Sequence, residues 1–243
     1  MLQLPRIIGH RGAAAAAPEN TLASIAKAHE LGCRWVELDA KLSLDKIALL
    51  MHDERLERTT NGSGPVADHR AADLQRLDAG SWKGPGFAGE RVPTLAEAIA
   101  LMARLGMGAN IEIKPCPGRE IETGRAVALE LRRRWPRGLG LLVSSFSSAS
   151  LEAARAVAPE LSRGFLVEAP PPEWPATVRR LGCVSLHPWY EDVEPETLAA
   201  ARELGIEVLV YTVNDARRAA ELLEAGVASC ITDVPERLLA DIS

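Results

Sequence analysis

The stretch Arg34-Trp35-Val36-Glu37-Leu38-Asp39-Ala40 sets two carboxylates between apolar residues at alternating positions. Successive side chains of a β-strand point to opposite faces, so Glu37 and Asp39 share one face and their apolar neighbours share the other. An apolar face of this kind packs against helices, which leaves the carboxylate face directed to the interior of the sheet. The stretch therefore predicts a buried strand of an α/β protein.

Seven further segments have the length and apolar character of strands, and apolar residues at helical spacing separate most of them. The predicted strands are Arg6–His10, Arg34–Ala40, Ala109–Lys114, Leu141–Ser145, Ser162–Val167, Val184–His187, Glu207–Val213 and Ser229–Thr232. Eight strands joined by helices predict a parallel sheet that closes into a (β/α)8 TIM barrel, a single domain over residues 1–243. A doubly wound open sheet is the alternative, but no glycine-rich phosphate loop follows any strand.

One segment interrupts this alternation. Between residues 41 and 91 the expected crossover is replaced by a hairpin-like pair, Ala40–Leu44 and Ile47–His52, and then by a turn-rich run from Asn61 to Gly86. We predict a small subdomain, inserted after the second strand at approximately residues 41–91, that lies above the C-terminal mouth of the barrel. We expect it to be too glycine-rich to bury a core of its own.

The composition restricts the class of protein. With 47% apolar residues the chain can bury a large core, and its net charge of −5 argues against nucleic acid or an anionic membrane as the main partner. No apolar stretch approaches the roughly 18 residues of a membrane span, so none is expected. The sequence makes no prediction of the oligomeric state. The cysteines lack metal-site spacing, which indicates unpaired thiols and a cytoplasmic location; they are Cys33, Cys116, Cys183 and Cys230.

Carboxylates end the strands at the mouth of the predicted barrel, where this architecture carries its chemistry. Glu37 and Asp39 face inward on the second strand, and the alternation of Ile111-Glu112-Ile113-Lys114 turns Glu112 inward on the third. Three carboxylates inside a barrel repel one another and lose hydration, so they need protons or a cation to remain there. A hard divalent ion suits oxygen ligands of this kind. The alternative is pairing of these charges on the solvent surface, which their apolar neighbours disfavour.

Two histidines end inward-leading segments. His10 closes the first strand and His52 closes the inserted hairpin, so they approach the mouth from different sides. An imidazole titrates near neutral pH, and phosphodiester cleavage needs one group to activate the attacking oxygen and another to protonate the leaving one. A structural role is the alternative for either residue alone. His29 and His69 are weaker candidates, while His187 ends a strand and is a candidate for the pocket.

Two basic residues are candidates for binding phosphate. Arg11 follows His10 directly, and its planar guanidinium suits a pair of phosphate oxygens. Lys114 adds a second positive charge, although pairing with Glu112 alone is an alternative. The stretch Pro18-Glu19-Asn20-Thr21 predicts a helix start capped by Asn20 or Thr21, with Glu19 or Asn20 as a further contact to the site.

Short motifs follow one another in a fixed order over nearly the whole chain. They are His10-Arg11-Gly12, Pro18-Glu19-Asn20-Thr21, Glu37-Leu38-Asp39, His52-Asp53, Arg58-Thr59-Thr60-Asn61-Gly62-Ser63-Gly64, Arg91-Val92-Pro93-Thr94-Leu95, Glu112-Ile113-Lys114, Ser144-Ser145-Phe146, Tyr211-Thr212-Val213-Asn214 and Thr232-Asp233. In this combination the chain resembles the glycerophosphodiester phosphodiesterase family, in the short form that looks most like the bacterial cytoplasmic type. The resemblance implies a TIM barrel with an inserted subdomain.

The implied reaction is hydrolysis of a small-molecule glycerophosphodiester to sn-glycerol 3-phosphate and an alcohol, a step of glycerol and lipid metabolism. The family pattern implies a histidine acid/base pair, three ligands for Mg²⁺ or Ca²⁺, and two phosphate-binding residues, in agreement with the strand geometry. In that order these are His10 and His52; Glu37, Asp39 and Glu112; and Arg11 and Lys114.

The chain departs from the family pattern at two places. Lys46 stands where relatives usually have a turn glycine in the inserted hairpin, and Tyr211 stands where many relatives have tryptophan. Both positions bear on substrate preference, and we take Phe146, His187 and Tyr211 as candidates for the substrate pocket.

Three alternatives concern the reaction itself. The nucleophile is either water or the glycerol 2-hydroxyl, which would form a cyclic phosphate first. A lysophospholipase D-like or phospholipase C-like enzyme on the same scaffold would show an apolar rim, for which the insertion offers Trp82 and Phe87. A binding protein without activity would lack a ligand or a histidine, and this chain keeps all of them.

Overall fold

Parallel strands form a closed ring in the computed structural model, which describes residues 3–242. The strands are β1 (Ile7–His10), β2 (Trp35–Leu42), β3 (Ala48–Leu50), β4 (Gly108–Ile113), β5 (Leu141–Ser145), β6 (Ser162–Leu166), β7 (Ser185–His187), β8 (Glu207–Val210) and β9 (Ser229–Thr232). β1 pairs with both β2 and β9, which closes eight parallel strands into a barrel, and β3 lies antiparallel to β2. The predicted TIM barrel is confirmed and the open sheet is excluded.

Helices cover the outside of the barrel between the strands. The helices are α1 (Leu22–Glu30), α2 (Ala71–Leu74), α3 (Leu95–Leu105), α4 (Glu120–Arg134), α5 (Ser148–Val157), α6 (Trp174–Leu181), α7 (Pro195–Leu204), α8 (Ala216–Ala225) and α9 (Pro235–Asp241), of which α2 belongs to the inserted segment. Thr21, one of the two predicted caps, begins α1 and accepts a hydrogen bond from the Ser24 amide. Between residues 3 and 242, no helix combines the length and apolar character that crossing a membrane requires.

The two faces of β2 are used as the alternation predicts. Val36, Leu38 and Ala40 lie in the apolar layer between the sheet and the helices, where they are fully buried. The barrel interior is apolar near the N-terminal ends of the strands, where Trp35 packs with Ile8, Leu142, Leu209 and Ile231. Toward the C-terminal ends the interior becomes polar, and the barrel therefore presents its charged side chains at one mouth.

Strand register brings these side chains to the same level. His10 on β1 lies opposite Glu37 on β2, and Asp39 on β2 lies opposite Glu112 on β4. Residues in register on neighbouring parallel strands sit about 5 Å apart, which is close enough for their carboxyl groups to meet. The register therefore brings His10 and the three carboxylates together without any loop.

The inserted segment has a core of its own, contrary to the expectation from its glycine content. Buried apolar residues pack together from β3 to the strand-like segment before α3: Leu49, Met51, Leu56, Val66, Leu74, Ala79 and Val92. The glycines occupy turns, and they leave enough apolar side chains between them to exclude water. Because β3 pairs with the C-terminal half of β2, this small core stands beside the mouth of the barrel.

The hairpin turn explains the first sequence departure. Lys46 has a φ of +66°, in the left-handed region that favours glycine, and its backbone N–H donates to the Ser43 carbonyl. Its ammonium group pairs with Glu122 at 2.7 Å. Lysine therefore occupies a backbone conformation that favours glycine, and His52 follows the end of β3 by two residues.

Gly108 provides a test of the packing at the closed end of the barrel. A methyl group on Gly108 would lie 2.4 Å from the Trp35 ring, which also covers Gly140. We expect Gly108→Ala to lower the free energy of unfolding by about 1–3 kcal/mol through overpacking. Gly86→Ala is the control, since no atom lies within 4 Å of its added methyl group. Denaturant unfolding of both variants measures the difference, and equal stabilities would contradict this packing.

Candidate active site

A cavity of about 470 Å³ opens at the C-terminal mouth of the barrel. It is lined by His10, Arg11, Glu37, Asp39, His52, Asn110, Glu112, Lys114, Phe146, Leu166, Glu168, Trp189, Asp192, Tyr211, Thr212 and Ile231. Both predicted histidines, all three predicted carboxylates and both predicted phosphate-binding residues are among these side chains. The site residues proposed from strand alternation and from the motifs thus converge on one cavity.

The three carboxylates form a tight buried cluster. Each of Glu37, Asp39 and Glu112 offers an oxygen that lies within 4.8 Å of the oxygens of the other two. Their residues are only 4%, 1% and 8% exposed, and Glu37 Oε1 has no hydrogen-bond partner within the described part of the chain. An orphaned, buried carboxylate oxygen facing two other carboxylates is a fitting ligand for a hard cation. The donor set therefore fits Mg²⁺ or Ca²⁺.

Electrostatics distinguish the members of the cluster. Burial and repulsion from Asp39 raise the pKa values of Glu37 and Glu112. Burial also acts on Asp39, but the positive charges of Lys114 and Arg11 outweigh it and hold the pKa of Asp39 well below its usual range. Two of the three acids thus resist ionisation when protein groups alone surround them. A bound cation would remove that penalty.

Two neighbouring side chains hold the cluster in place. Asn20 lies in the left-handed region at a φ of +58°; its amide donates to Asp39 Oδ2 at 2.8 Å and its carbonyl accepts from the Asp39 N–H at 3.0 Å. Lys41 is fully buried and donates to the Lys114 carbonyl at 3.0 Å. Lys41 was not among the residues singled out from the sequence, although its spacing from Glu37 and Asp39 puts it on the same face of β2.

His10 is oriented by a carboxylate from the far end of the chain. Its Nδ1 lies 2.7 Å from Asp233 Oδ1, and Asp233 also accepts a hydrogen bond from the Asn214 amide. The hydrogen bond from His10 helps to lower the pKa of Asp233 against the opposing effect of burial, so Asp233 is ionised and can only accept. Nδ1 therefore carries the hydrogen, and Nε2 is left on the side of Glu37, 3.8 Å from Oε2.

His52 is oriented in the same manner by its neighbour. Its Nδ1 lies 2.7 Å from Asp53 Oδ1, and hydrogen bonds from Arg58 hold the pKa of Asp53 well below its usual range. Nδ1 is again the donor, which leaves Nε2 free. Burial lowers the pKa of His52, and the nearby charges of Arg11 and Lys114 act in the same direction, against Asp39. His52 is therefore neutral at pH 7.

The two basic residues flank the carboxylates. Lys114 Nζ lies 3.0 Å from Glu112 and 3.5 Å from Asp39, so it does not pair with Glu112 alone. Arg11 Nε lies 3.3 Å from Asp39, yet it makes no hydrogen bond within residues 3–242. Arg11 also has a φ of +49°, a strained backbone conformation. Hydrogen bonds from the Asn20 backbone N–H and the Ser24 hydroxyl to the Arg11 carbonyl hold it in place. Its free N–H remains directed to the site.

Aromatic rings form the side of the cavity opposite the carboxylates. Phe146 and Trp189 each make an edge-to-face contact with Tyr211, at 5.9 and 5.7 Å between ring centroids. Phe146 and Tyr211, two of the three candidates for the substrate pocket, therefore line this cavity. His187 does not: it is fully buried and forms a hydrogen bond with Ser185. Burial lowers the pKa of His187 to about 3.

The remaining histidines lie elsewhere. His29 belongs to α1 on the outside of the barrel, and His69 contacts the Ser63 carbonyl within the insertion. Neither lines the cavity. Asp233 and Asn214 were missed from the sequence. Asp233 orients His10, and Asn214 donates a hydrogen bond to Asp233. Their place in the motifs Thr232-Asp233 and Tyr211-Thr212-Val213-Asn214 was the available signal.

Comparison with known proteins gives a consistent result. The family model described as the glycerophosphoryl diester phosphodiesterase family matches residues 10–237. The chain is 35% identical over 237 residues to a glycerophosphodiester phosphodiesterase of Caldanaerobacter subterraneus subsp. tengcongensis, covering 96% of both chains.

Solved structures agree with the sequence matches. An Oleispira antarctica phosphodiesterase in complex with the product sn-glycerol-3-phosphate is 41% identical, with a TM-score of 0.96 and coverage of 98% of this chain and 97% of that one. A glycerophosphodiester phosphodiesterase from Agrobacterium tumefaciens is 28% identical, with a TM-score of 0.81 and coverage of 98% and 100%. With its barrel, its cavity and these matches over nearly its whole length, the chain belongs to the glycerophosphoryl diester phosphodiesterase family.

Proposed function

We propose that this enzyme hydrolyses glycerophosphodiesters to sn-glycerol 3-phosphate and an alcohol, with a divalent metal ion and a histidine acid/base pair. The observation that carries the proposal is the convergence of Glu37, Asp39 and Glu112 with two imidazoles in one cavity. The product named for the 41% identical Oleispira antarctica enzyme supports the same reaction.

Glu37, Asp39 and Glu112 would hold Mg²⁺ or Ca²⁺ through carboxylate oxygens alone. The cation supplies charge neutralisation at the phosphate and lowers the cost of charge that develops on the phosphoryl oxygens. Asn20 keeps Asp39 in its orientation through two hydrogen bonds, so one ligand is fixed before a cation binds. The choice between the two metals depends on coordination number, which these three residues leave open to water and substrate.

Arg11 and Lys114 bind the phosphodiester group. Arg11 Nε has an N–H without a hydrogen bond in the described chain, and Lys114 Nζ lies 3.5 Å from Asp39, which is also beside Arg11 Nε. Charge-assisted hydrogen bonds of this kind orient a phosphate and strengthen as negative charge builds on its oxygens. Phe146 and Tyr211 cover the carbon skeleton of the substrate.

The two histidines move protons on opposite sides of the phosphate. His52, neutral at pH 7, takes the proton of the attacking hydroxyl, from water or from the glycerol 2-hydroxyl. A new P–O bond forms and the P–O bond to the alcohol breaks, while His10, with a hydrogen on both ring nitrogens, donates its Nε2 proton to the departing oxygen. Attack by water gives glycerol 3-phosphate directly. Attack by the 2-hydroxyl gives a cyclic phosphate, which water then opens as His10 takes the proton of that water and His52 returns its proton to the 2-oxygen. Asp53 and Asp233 keep each ring in the orientation that presents Nε2.

The cavity favours a small polar substrate over a lysophospholipid. Of the insertion's two candidate rim residues, Trp82 is 41% exposed but donates its N–H to the Ala79 carbonyl, and neither Trp82 nor Phe87 lines the cavity. An acyl chain would thus gain no apolar rim from Trp82 and Phe87 of the insertion. The four cysteines are free thiols, which supports a reducing, cytoplasmic setting.

Product release provides the direct test of this function. We expect glycerol 3-phosphate from glycerophosphocholine, glycerophosphoethanolamine and glycerophosphoinositol, loss of that activity with a chelator, and recovery on adding Mg²⁺ or Ca²⁺. Lysophosphatidylcholine should react far more slowly. An enzyme-coupled glycerol 3-phosphate assay measures all arms, and undiminished activity after complete metal removal would contradict the metal site.

The histidine pair can be tested by truncation. We expect His10→Ala and His52→Ala each to lower kcat by about 10²–10⁴-fold, the range typical of a lost general acid or base. His69→Ala is the matched control, because His69 lies in the insertion and does not line the cavity. Steady-state kinetics at saturating metal compare the three variants, and full activity of either cavity variant would remove that residue from the reaction.

The pH dependence follows from the direction of the His52 shift. A base is active when neutral, so protonation of His52 on acidification lowers kcat/KM. Because the pKa of His52 lies below its ordinary value of 6.5, the acid limb should have its midpoint below pH 6.5. A kcat/KM profile at saturating metal, from about pH 4.5 to 8 around the ordinary imidazole pKa, measures it. A midpoint above the ordinary value would argue against His52 as the base.

A further inference from the structure

A row of charged side chains joins the two sides of the cavity. His52 contacts Asp53, and Asp53 accepts two hydrogen bonds from Arg58, from Nε at 2.6 Å and from a terminal nitrogen at 2.9 Å. Arg58 also donates twice to Glu19, at 2.7 and 2.8 Å. Glu19 in turn accepts from Arg11 at 2.6 Å. The proton-transfer residue His52 and the phosphate-binding residue Arg11 are thereby connected through consecutive hydrogen bonds.

Arg58 is the centre of this row. Its planar guanidinium makes two hydrogen bonds to each of two carboxylates, an arrangement that fixes orientation as well as distance. The hydrogen bonds that Arg58 donates to Glu19 and Asp53 raise its pKa. The side chain is 45% exposed, and a single ion pair at such a position would contribute little. Two bidentate pairs in one network, in contrast, fix the positions of the two carboxylates relative to the guanidinium.

The members of the row come from two separate parts of the fold. Asp53 and Arg58 belong to the insertion, while Glu19 and Arg11 belong to the loop between β1 and α1. Other contacts also join these parts, for example Lys83 Nζ to the Ala14 carbonyl at 2.6 Å. That contact reaches neither His52 nor Arg11. The bridge through Arg58 is different because each end of it orients a residue of the reaction.

We propose that Arg58 is a positioning residue that fixes His52 and Arg11 relative to each other across the cavity. This role rests on the function proposed above. Without the guanidinium, Asp53 loses its cationic partner and His52 is oriented less firmly. Glu19 would then interact with Arg11 alone and draw it away from the phosphate. Loss of Arg58 should therefore impair proton transfer and substrate binding together, although Arg58 itself does not line the cavity.

Substitution of Arg58 tests the proposal through two kinetic constants. We expect Arg58→Ala to lower kcat and to raise KM for glycerophosphocholine, each by roughly tenfold, since small misplacements of reacting groups have effects of this size or larger. Added guanidinium should restore part of both constants, and Arg58→Lys should fall between the wild type and the alanine variant. Arg55→Ala is the matched control, because Arg55 pairs at the surface with Glu57 three residues before Arg58.

Metal binding separates this role from a general loss of folding. Arg58 contacts none of Glu37, Asp39 and Glu112, so calorimetry should show Arg58→Ala binding Mg²⁺ or Ca²⁺ with wild-type affinity and stoichiometry. A lower kcat with unchanged KM and no rescue by guanidinium would overturn the proposal, as would kinetics equal to the wild type. If the wild-type enzyme itself releases no glycerol 3-phosphate, the proposed function fails first, and the role of Arg58 fails with it.

Discussion

The cost of keeping three carboxylates inside the barrel governs the arrangement of the site. Glu37, Asp39 and Glu112 are almost fully buried, and their mutual repulsion raises the pKa values of two of them. Neighbouring side chains offset part of that cost. The charged groups of Lys114 and Arg11 lie close to the carboxylate oxygens, and the neutral Asn20 amide donates a hydrogen bond to one of them. The same unsatisfied charge supports the proposal that the cluster holds a small, hard cation.

Orientation of the histidines follows a second common scheme. Each imidazole donates a hydrogen bond from Nδ1 to an aspartate. A further side chain holds each aspartate: Asn214 donates to Asp233, and Arg58 donates to Asp53. One support, Asn214, is a neutral, exposed side chain in the loop between β8 and α8, whereas the other, Arg58, is a cation from the insertion. The insertion thus contributes to the site through charge as well as through shape, and its small apolar core provides the rigidity for this.

Strand periodicity made the barrel and the inward carboxylates predictable, because Glu37, Asp39 and Glu112 alternate with residues that must face the helices. The hydrogen-bond partner of His10 was harder to predict. Asp233 lies 223 positions from His10, and only closure of the barrel brings the two residues together. His187 shows the limit of strand alternation, which predicts the face that a side chain occupies but not whether that side chain lines the cavity. The insertion was misjudged for a similar reason, as glycine counts do not reveal which apolar side chains meet.

Ring closure also has a temporal consequence for synthesis. β1 pairs with β9, and Asp233 directly follows β9. While the ribosome is still producing the last helices, β1 exposes an unpaired edge and His10 lacks its carboxylate. Open edges of this kind invite pairing with other chains. The nascent polypeptide is thus exposed to aggregation until β9 has left the exit tunnel, and only then can Asp233 orient His10.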